Sequence, residues 1–323
     1  TMHRILRAAL LAVLAAIPFV AAHAQQYPAK PVRFIIPFPP GGPTDLMGRM
    51  AAERLSKAWG VQVVPDNRAG AGGNIGTDLC AKAPPDGYTI CILTVAQSIS
   101  PAIYSKLPFN PMKDFNHITL MATLPSLLTV HPALPVKTVK DLVGLAKSKP
   151  GELSYASTGN GTSPHMMMEY FKVLTGVNVV HIPYKGQAPA VVDQISGQVQ
   201  LAFNTAITVL QHVKDNRLKA IAVSTRERFP AMPDLPTVEQ GGVTGFEGSS
   251  WNGVVVPAGT PREVITRVHQ ELSTLLKAPE TREKLLGQGA IAGGNTPEEF
   301  AAFLKAEIDK WTKVAKFARV KLD

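Results

Sequence analysis

The chain has 323 residues, 45% of them hydrophobic, enough to bury the cores of two ordinary domains. Its 33 Lys+Arg against 24 Asp+Glu give a formal net charge of +9, but the excess is scattered, with only a mild cluster at Lys313, Lys316, Arg319 and Lys321. With no arginine-rich arm or basic-aromatic platform, nucleic acid is not an expected partner, and the diffuse positive field suits solubility and capture of small anions.

The first residues read as an export signal. Arg4 and Arg7 supply a basic start, residues 8–22 are an apolar run of about signal-peptide length, and Ala22-His23-Ala24 fits the small-x-small cleavage pattern. Residues 1–24 are expected to be removed, leaving an exported, periplasmic chain from Gln25. That run falls short of the roughly 20 apolar residues a bilayer span needs, and no later stretch approaches it.

Past Gln25, strands alternate with amphipathic helices, the pattern of an α/β protein with parallel sheets. Residues 32–38 are a near-continuous apolar strand that runs into Pro39-Pro40-Gly41-Gly42-Pro43-Thr44-Asp45. A helix to about Trp59 should follow, with Leu46, Met50 and Leu55 on its buried face and Thr44 or Asp45 as its cap. Residues 61–64 are the next strand, and the loop 67–76 leads to a helix near 77–83. The glycines of that loop, Gly70, Gly72, Gly73 and Gly76, miss G-x-G-x-x-G spacing and no Walker lysine follows, so no nucleotide cofactor is expected. Residues 89–95 are a strand whose end carries Ala96, Gln97 and Ser98. Cys80 and Cys91 fall on the helix and strand between, close enough for a disulfide in an oxidising compartment or for two buried thiols; neither has a metal-ligand neighbour.

Residues 124–130 read as a strand crossing into a second domain, and Thr138-Val139-Lys140-Asp141 is a capping box for a helix to Lys147. Residues 153–156 end a buried strand, 157–162 form a glycine-bearing loop, and Ser163 is the expected N-cap of a helix with Pro164 in its first position. The first N–H groups of that helix have no intrahelical acceptor and sit at the positive end of its dipole. Gly159 and Gly161 let a ligand approach the main chain, and Ser157, Thr158 and Thr162 add hydroxyls: a seat for a small anion such as a carboxylate, or else an ordinary strand–loop–helix turn. The loop Pro40-Gly41-Gly42 is built the same way. Further on, strand 177–182 ends at Tyr184-Lys185-Gly186, a helix carries Ala188, Val191, Val192 and Ile195 on one face, and strand 199–203 ends at Asn204-Thr205-Ala206. Strand 218–224 closes this lobe and 251–256 returns to the first. Thr260 and Thr296 open the final helices as capping boxes, the last burying Phe300, Phe303, Leu304, Trp311 and Val314. The expected lobes are 25–125 with 227–323, and 126–226.

Open α/β sheets bind ligands outside the carboxyl ends of their strands. The candidate binding residues are therefore Pro40, Gly41, Gly42, Thr44, Asp45, Gln97 and Ser98 from one lobe, and Ser157, Thr158, Gly159, Gly161, Thr162, His165, Tyr184, Asn204 and Thr205 from the other. No G-x-S-x-G elbow, H-E-x-x-H pair or calcium loop is present, so no catalytic residue, metal or cofactor is assigned. Ser157 and His165 could be drawn as a hydrolase nucleophile and base, but no acid has an evident place to orient the histidine.

The segments Tyr27-Pro-Ala-Lys-Pro-Val-Arg33, Pro37-Phe-Pro-Pro-Gly-Gly-Pro-Thr-Asp45, Asn67 to Gly76 with Ala83-Pro-Pro-Asp-Gly-Tyr88, Tyr155 to His165, Pro233-Asp-Leu-Pro-Thr-Val238 and Pro257-Ala-Gly-Thr-Pro261 run in order through the mature chain. As a set they resemble the receptors of tripartite tricarboxylate transporters, the Bug-type periplasmic solute-binding proteins. The resemblance implies a type II, venus-flytrap fold of two α/β lobes, each a mostly parallel sheet flanked by helices. It also implies a monomer that closes on one small organic anion, a mono-, di- or tricarboxylate, aromatic acids included. The loops around residues 40–45 and 157–165 would hold the carboxylate, and membrane components of the transporter would receive the ligand. Many such proteins carry aspartate after phenylalanine where this chain has Asn204, which implies a ligand whose far end is neutral or anionic rather than cationic. An exported hydrolase using Ser157 and His165, and a ligand-sensing module without a transport role, are the other readings.

Overall fold

The computed structural model describes residues 27–322; the expected signal segment, residues 1–24, lies outside the described residues. The first lobe opens with β1 (Val32–Ile36), α1 (Pro43–Trp59), β2 (Val63–Asn67), α2 (Asn74–Ala81), β3 (Thr89–Thr94), α3 (Val95–Ile103) and β4 (Phe115–Leu124). The chain crosses at Pro125 into β5 (Ser126–Val130), α4 (Val139–Ser148), β6 (Ser154–Ser157), α5 (Ser163–Thr175), β7 (Val180–Pro183), α6 (Gln187–Ile195), β8 (Leu201–Thr205), α7 (Ala206–Lys214) and β9 (Lys219–Val223). It returns in β10 (Ser250–Pro257) and ends with α8 (Arg262–Lys277), α9 (Pro279–Gln288), the short β11 (Ile291–Ala292) and α10 (Pro297–Ala318).

Two sheets result, ordered β11-β4-β10-β3-β1-β2 and β7-β6-β8-β5-β9, so the molecule is a two-lobed α/β protein. Each sheet is mixed rather than mostly parallel. β1 lies parallel to β2 and β3, and β6 parallel to β7 and β8, as strand–helix–strand crossovers require. The strands at the crossings reverse direction: β10 is antiparallel to β3 and β4, and β5 to β8 and β9. Beyond β9 the chain still packs on the second lobe, where Val238 N–H bonds Val223 O at 2.9 Å and Phe246 stacks on Phe203 at 5.2 Å.

Several local expectations shift. The face of α1 is turned: Met47, Ala51 and Leu55 are buried while Leu46 is 44% exposed. The cause is Gly48, where an added Cβ would lie 2.6 Å from Ile36 Cδ1, so this side of the helix must sit flush on the sheet. Thr260 does not cap α8; its hydroxyl donates to Pro257 O at 2.7 Å, and the helix starts behind Pro261. Thr138 and Thr296 do form the expected capping boxes. Cys80 and Cys91 are joined in a disulfide that ties α2 to β3.

One apolar core runs through both lobes. Trp251, Phe300 and Trp311 belong to the same cluster as Met166, Met167, Met168 and Phe171. The helix α10 carries it, packing against β4 and α3 on one side and α5 on the other. Inside it, the buried Glu307 accepts both indole N–H groups, from Trp251 at 3.0 Å and Trp311 at 3.1 Å, and pairs with Lys310. The lobes are in contact at this seam: a Cβ on Gly161 in the second lobe would lie 2.5 Å from Ile103 Cδ1 in the first, and one on Gly186 3.6 Å from Pro39 Cγ.

Candidate functional site

Between the lobes lies a cavity of about 80 Å³. Its walls contain the N-cap residues of α1 (Gly42), α3 (Thr94), α5 (Thr162), α6 (Gly186) and α7 (Thr205). Each helix follows directly on a strand end or a short loop after it, which is why their N-termini gather at one edge of the two sheets. The first-turn N–H groups lack intrahelical acceptors, and each helix end acts as a fractional positive charge worth about 0.3–1 kcal/mol to a nearby anion. Among the described residues the wall carries Lys185 and no acidic side chain. Its polar lining is chiefly hydroxyl and amide.

The two expected glycine loops do meet here. Pro40, Gly42 and Thr44 line the cavity from the first lobe, and Thr158, Thr162 and Thr205 from the second. The other candidates fall outside that lining. Asp45 is buried, and its carboxylate accepts from Gly41 N–H at 3.0 Å, Asn67 Nδ2 at 2.9 Å and Arg49 Nε at 2.9 Å. Burial pushes its pKa up, but those hydrogen bonds and the Arg49 charge outweigh it and hold the carboxyl below its ordinary value. Gln97 closes the capping box of α3 through Thr94, and Ser98 Oγ donates to Val95 O at 2.7 Å, so these residues sit in a helix and not at an open strand end. Tyr184 turns its hydroxyl to Asp193 at 2.8 Å, where burial and that carboxylate push its pKa up to about 12.

In the second loop the cap of α5 is Thr162 rather than Ser163, one residue early, and the Thr162 hydroxyl is drawn back to Gly159 O at 2.7 Å. Gly161 has φ +72, and its N–H bonds His165 Nδ1 at 3.1 Å. Ser157 Oγ pairs with His181 Nε2 at 2.6 Å, not with His165. His181 is sandwiched between Tyr155 and His165, with ring centroids 4.8 and 4.2 Å away. Burial and the neighbouring His165 lower the His181 pKa to about 4, and burial likewise lowers that of His165.

Sequence reasoning missed Ser163, Gln187, Ser250 and Asn252 in the wall and His181 beneath it. Ser163 Oγ and Asn252 Oδ1 are buried with no hydrogen-bond partner among the described residues, and both side chains line the cavity. Buried polar atoms are normally satisfied, so these two at the cavity wall are candidate contacts for a ligand or its water. Gln187 had a signal, since it follows Gly186 at a helix start. His181 had none: a histidine in a short edge strand reaches Ser157 only through sheet pairing.

Residues 47–319 match the family model for the tripartite tricarboxylate transporter family receptor. The chain belongs to this receptor family. BugT of Bordetella pertussis is 35% identical over 93% of this chain and 92% of its own. The R. palustris protein solved with adipate superposes with a TM-score of 0.88 at 36% identity, over 91% of this chain and 99% of that one. MatC from Rhodopseudomonas palustris, solved with bound malate, gives 0.84 at 27% identity, over 89% and 99% of the two chains. Both solved structures share the two-lobed fold of this chain.

Proposed function

We propose that this protein is a periplasmic solute receptor that closes on a small organic carboxylate and passes it to the membrane components of a tripartite tricarboxylate-type transporter. The observation that carries this is the convergence of helix N-termini from both lobes on one acid-free cavity. In the proposed bound state the carboxylate sits at the N-termini of α1 and α5, against Gly42, Thr158, Thr162 and the Ser163 hydroxyl. Adipate and malate in the related structures support the ligand class. Asp45, Gly41, Gly159, Gly161, His165 and Ser157 act from behind, setting the two loops.

The hydrolase reading loses its geometric support, because His165 Nδ1 is taken by the Gly161 N–H while Ser157 pairs with His181. Calorimetry of the mature protein against malate, adipate, succinate, citrate and benzoate tests the proposal. A true ligand at 100-fold over its Kd should also raise unfolding stability by about 2.7 kcal/mol. The absence of both binding heat and stabilisation across that panel would overturn it. Ester hydrolysis that is lost in Ser157→Ala would replace it with the enzyme reading.

A further inference from the structure

A chain of buried amides fixes which end of the Gln187 amide is left free. It begins at Thr129 on β5, whose main-chain carbonyl can only accept and receives Gln194 Nε2 at 3.0 Å. Gln194 must therefore turn its Oε1 the other way, where it accepts Asn204 Nδ2 at 2.6 Å; Asn204 Nδ2 also reaches Thr129 Oγ1 at 2.8 Å. Asn204 is thereby forced to present Oδ1 to Gln187, whose Nε2 donates to it at 2.5 Å. Thr129, Gln194, Asn204 and Gln187 are all buried, so no solvent competes to reverse the order. Flipping Gln187 would set two carbonyl oxygens against each other, and the same holds at each earlier step. What remains is Gln187 Oε1, on a side chain that lines both this cavity and the groove beside α6 and α7, with no hydrogen-bond partner among the described residues. Across the cavity, Asn252 is locked likewise: its Nδ2 donates to Trp251 O at 3.0 Å and Thr44 Oγ1 at 3.3 Å, leaving Oδ1 unpartnered.

From this geometry we infer that the receptor selects an acid that carries a neutral hydrogen-bond donor, a hydroxyl, read by the Gln187 carbonyl that the amide chain leaves free. The inference rests on the carboxylate reading above and names the substrate class: hydroxy acids. A second carboxylate at this point would face a carbonyl dipole of the wrong sign. An ammonium would find no acidic side chain in the wall to balance it. A site whose acceptor is fixed in advance penalises the ligand that covers it without supplying the donor, because the acceptor is then left desolvated and unpaired.

The test is calorimetry on acids that differ by one hydroxyl, malate against succinate and 2-hydroxyadipate against adipate, with aspartate as the ammonium counterpart of malate. For at least one pair the wild type should bind the hydroxylated member about tenfold or more tighter, the scale of one hydrogen bond to a fixed buried acceptor. Gln187→Met should erase that preference, so that each hydroxy acid and its deoxy partner bind within about threefold of each other. Equal or tighter binding of the deoxy acids by the wild type overturns the inference without needing the variant. So does a hydroxyl preference that survives Gln187→Met, or aspartate binding tighter than malate. If the deoxy acids bind and the hydroxylated ones do not, only this inference fails; if no acid binds at all, the carboxylate reading falls and this one with it.

Discussion

The loop before α1 is held by charge, and the loop before α5 by neutral rings. In the first, one ionised carboxylate, Asp45, gathers Gly41 N–H, Asn67 and Arg49, and the same Asn67 amide also clamps Phe38 O at 2.9 Å. In the second, the Gly161 N–H bonds an imidazole nitrogen, and the stack Tyr155–His181–His165 supports Ser157. Both devices set main-chain amides toward one cavity, yet they respond to acid in opposite order. Asp45 keeps its proton off below the usual carboxylate range, so the first loop is insensitive to mild acid. The second depends on both histidines staying uncharged, since a proton on His165 Nδ1 would confront the Gly161 N–H and two stacked imidazolium rings would repel.

The largest effect should come from Asp45→Ala, which takes the acceptor from the Gly41 N–H and leaves the Asn67 amide only Phe38 O. Urea unfolding should show a loss of about 1.5–3 kcal/mol, the scale of hydrogen bonds to a charged group, and carboxylate binding should vanish with the loop. Gly161→Ala comes next. A residue with a side chain at φ +72 is strained by about 1–2 kcal/mol, and its Cβ would press on Ile103 across the seam. Its affinity for acids should fall by more than its stability alone explains, because the collision exists only when the lobes meet.

The acid response distinguishes the loops. The folded-state pKa of His181 lies near 4, below the 6.5 of a free histidine, so between those values the unfolded chain binds more protons and stability rises with pH. Tm should therefore fall as pH drops from about 6.5 toward 4. His181→Phe, which keeps a ring in the stack but cannot titrate, should flatten that slope; an unchanged slope would mean that other groups carry it. Smallest is Ser163→Ala. With no partner to lose, the free protein should keep its stability, while ligand affinity drops by about 0.5–1.5 kcal/mol, one hydrogen bond. Thermal melts with and without malate separate the two.

Much of this was legible in the chain because its signals are local. The glycine-proline starts of α1 and α5 and the threonine–acid boxes at Thr138 and Thr296 announce themselves within four residues. The helix α3 was hidden although Thr94 and Gln97 spell a capping box, because Pro101 inside it argues against a helix. The helix α7 starts straight off β8 with no side-chain cap bond, and α9 buries only Leu285 along its length, so neither left a pattern to read. The wall residues that escaped notice lie where distant segments meet: Asn252 on the returning strand, and Gln187 at the end of an amide chain that begins on β5. Their orientation depends on partners up to 208 positions away, which no local pattern encodes.

A crystal structure of the mature protein grown with malate is the most direct trial of the central claim. The account predicts one acid in the inter-lobe cavity, with a carboxylate oxygen within hydrogen-bond reach, directly or through one water, of main-chain amides at the starts of both α1 and α5. An acid bound elsewhere, or held in the cavity by side chains of one lobe alone, would contradict it.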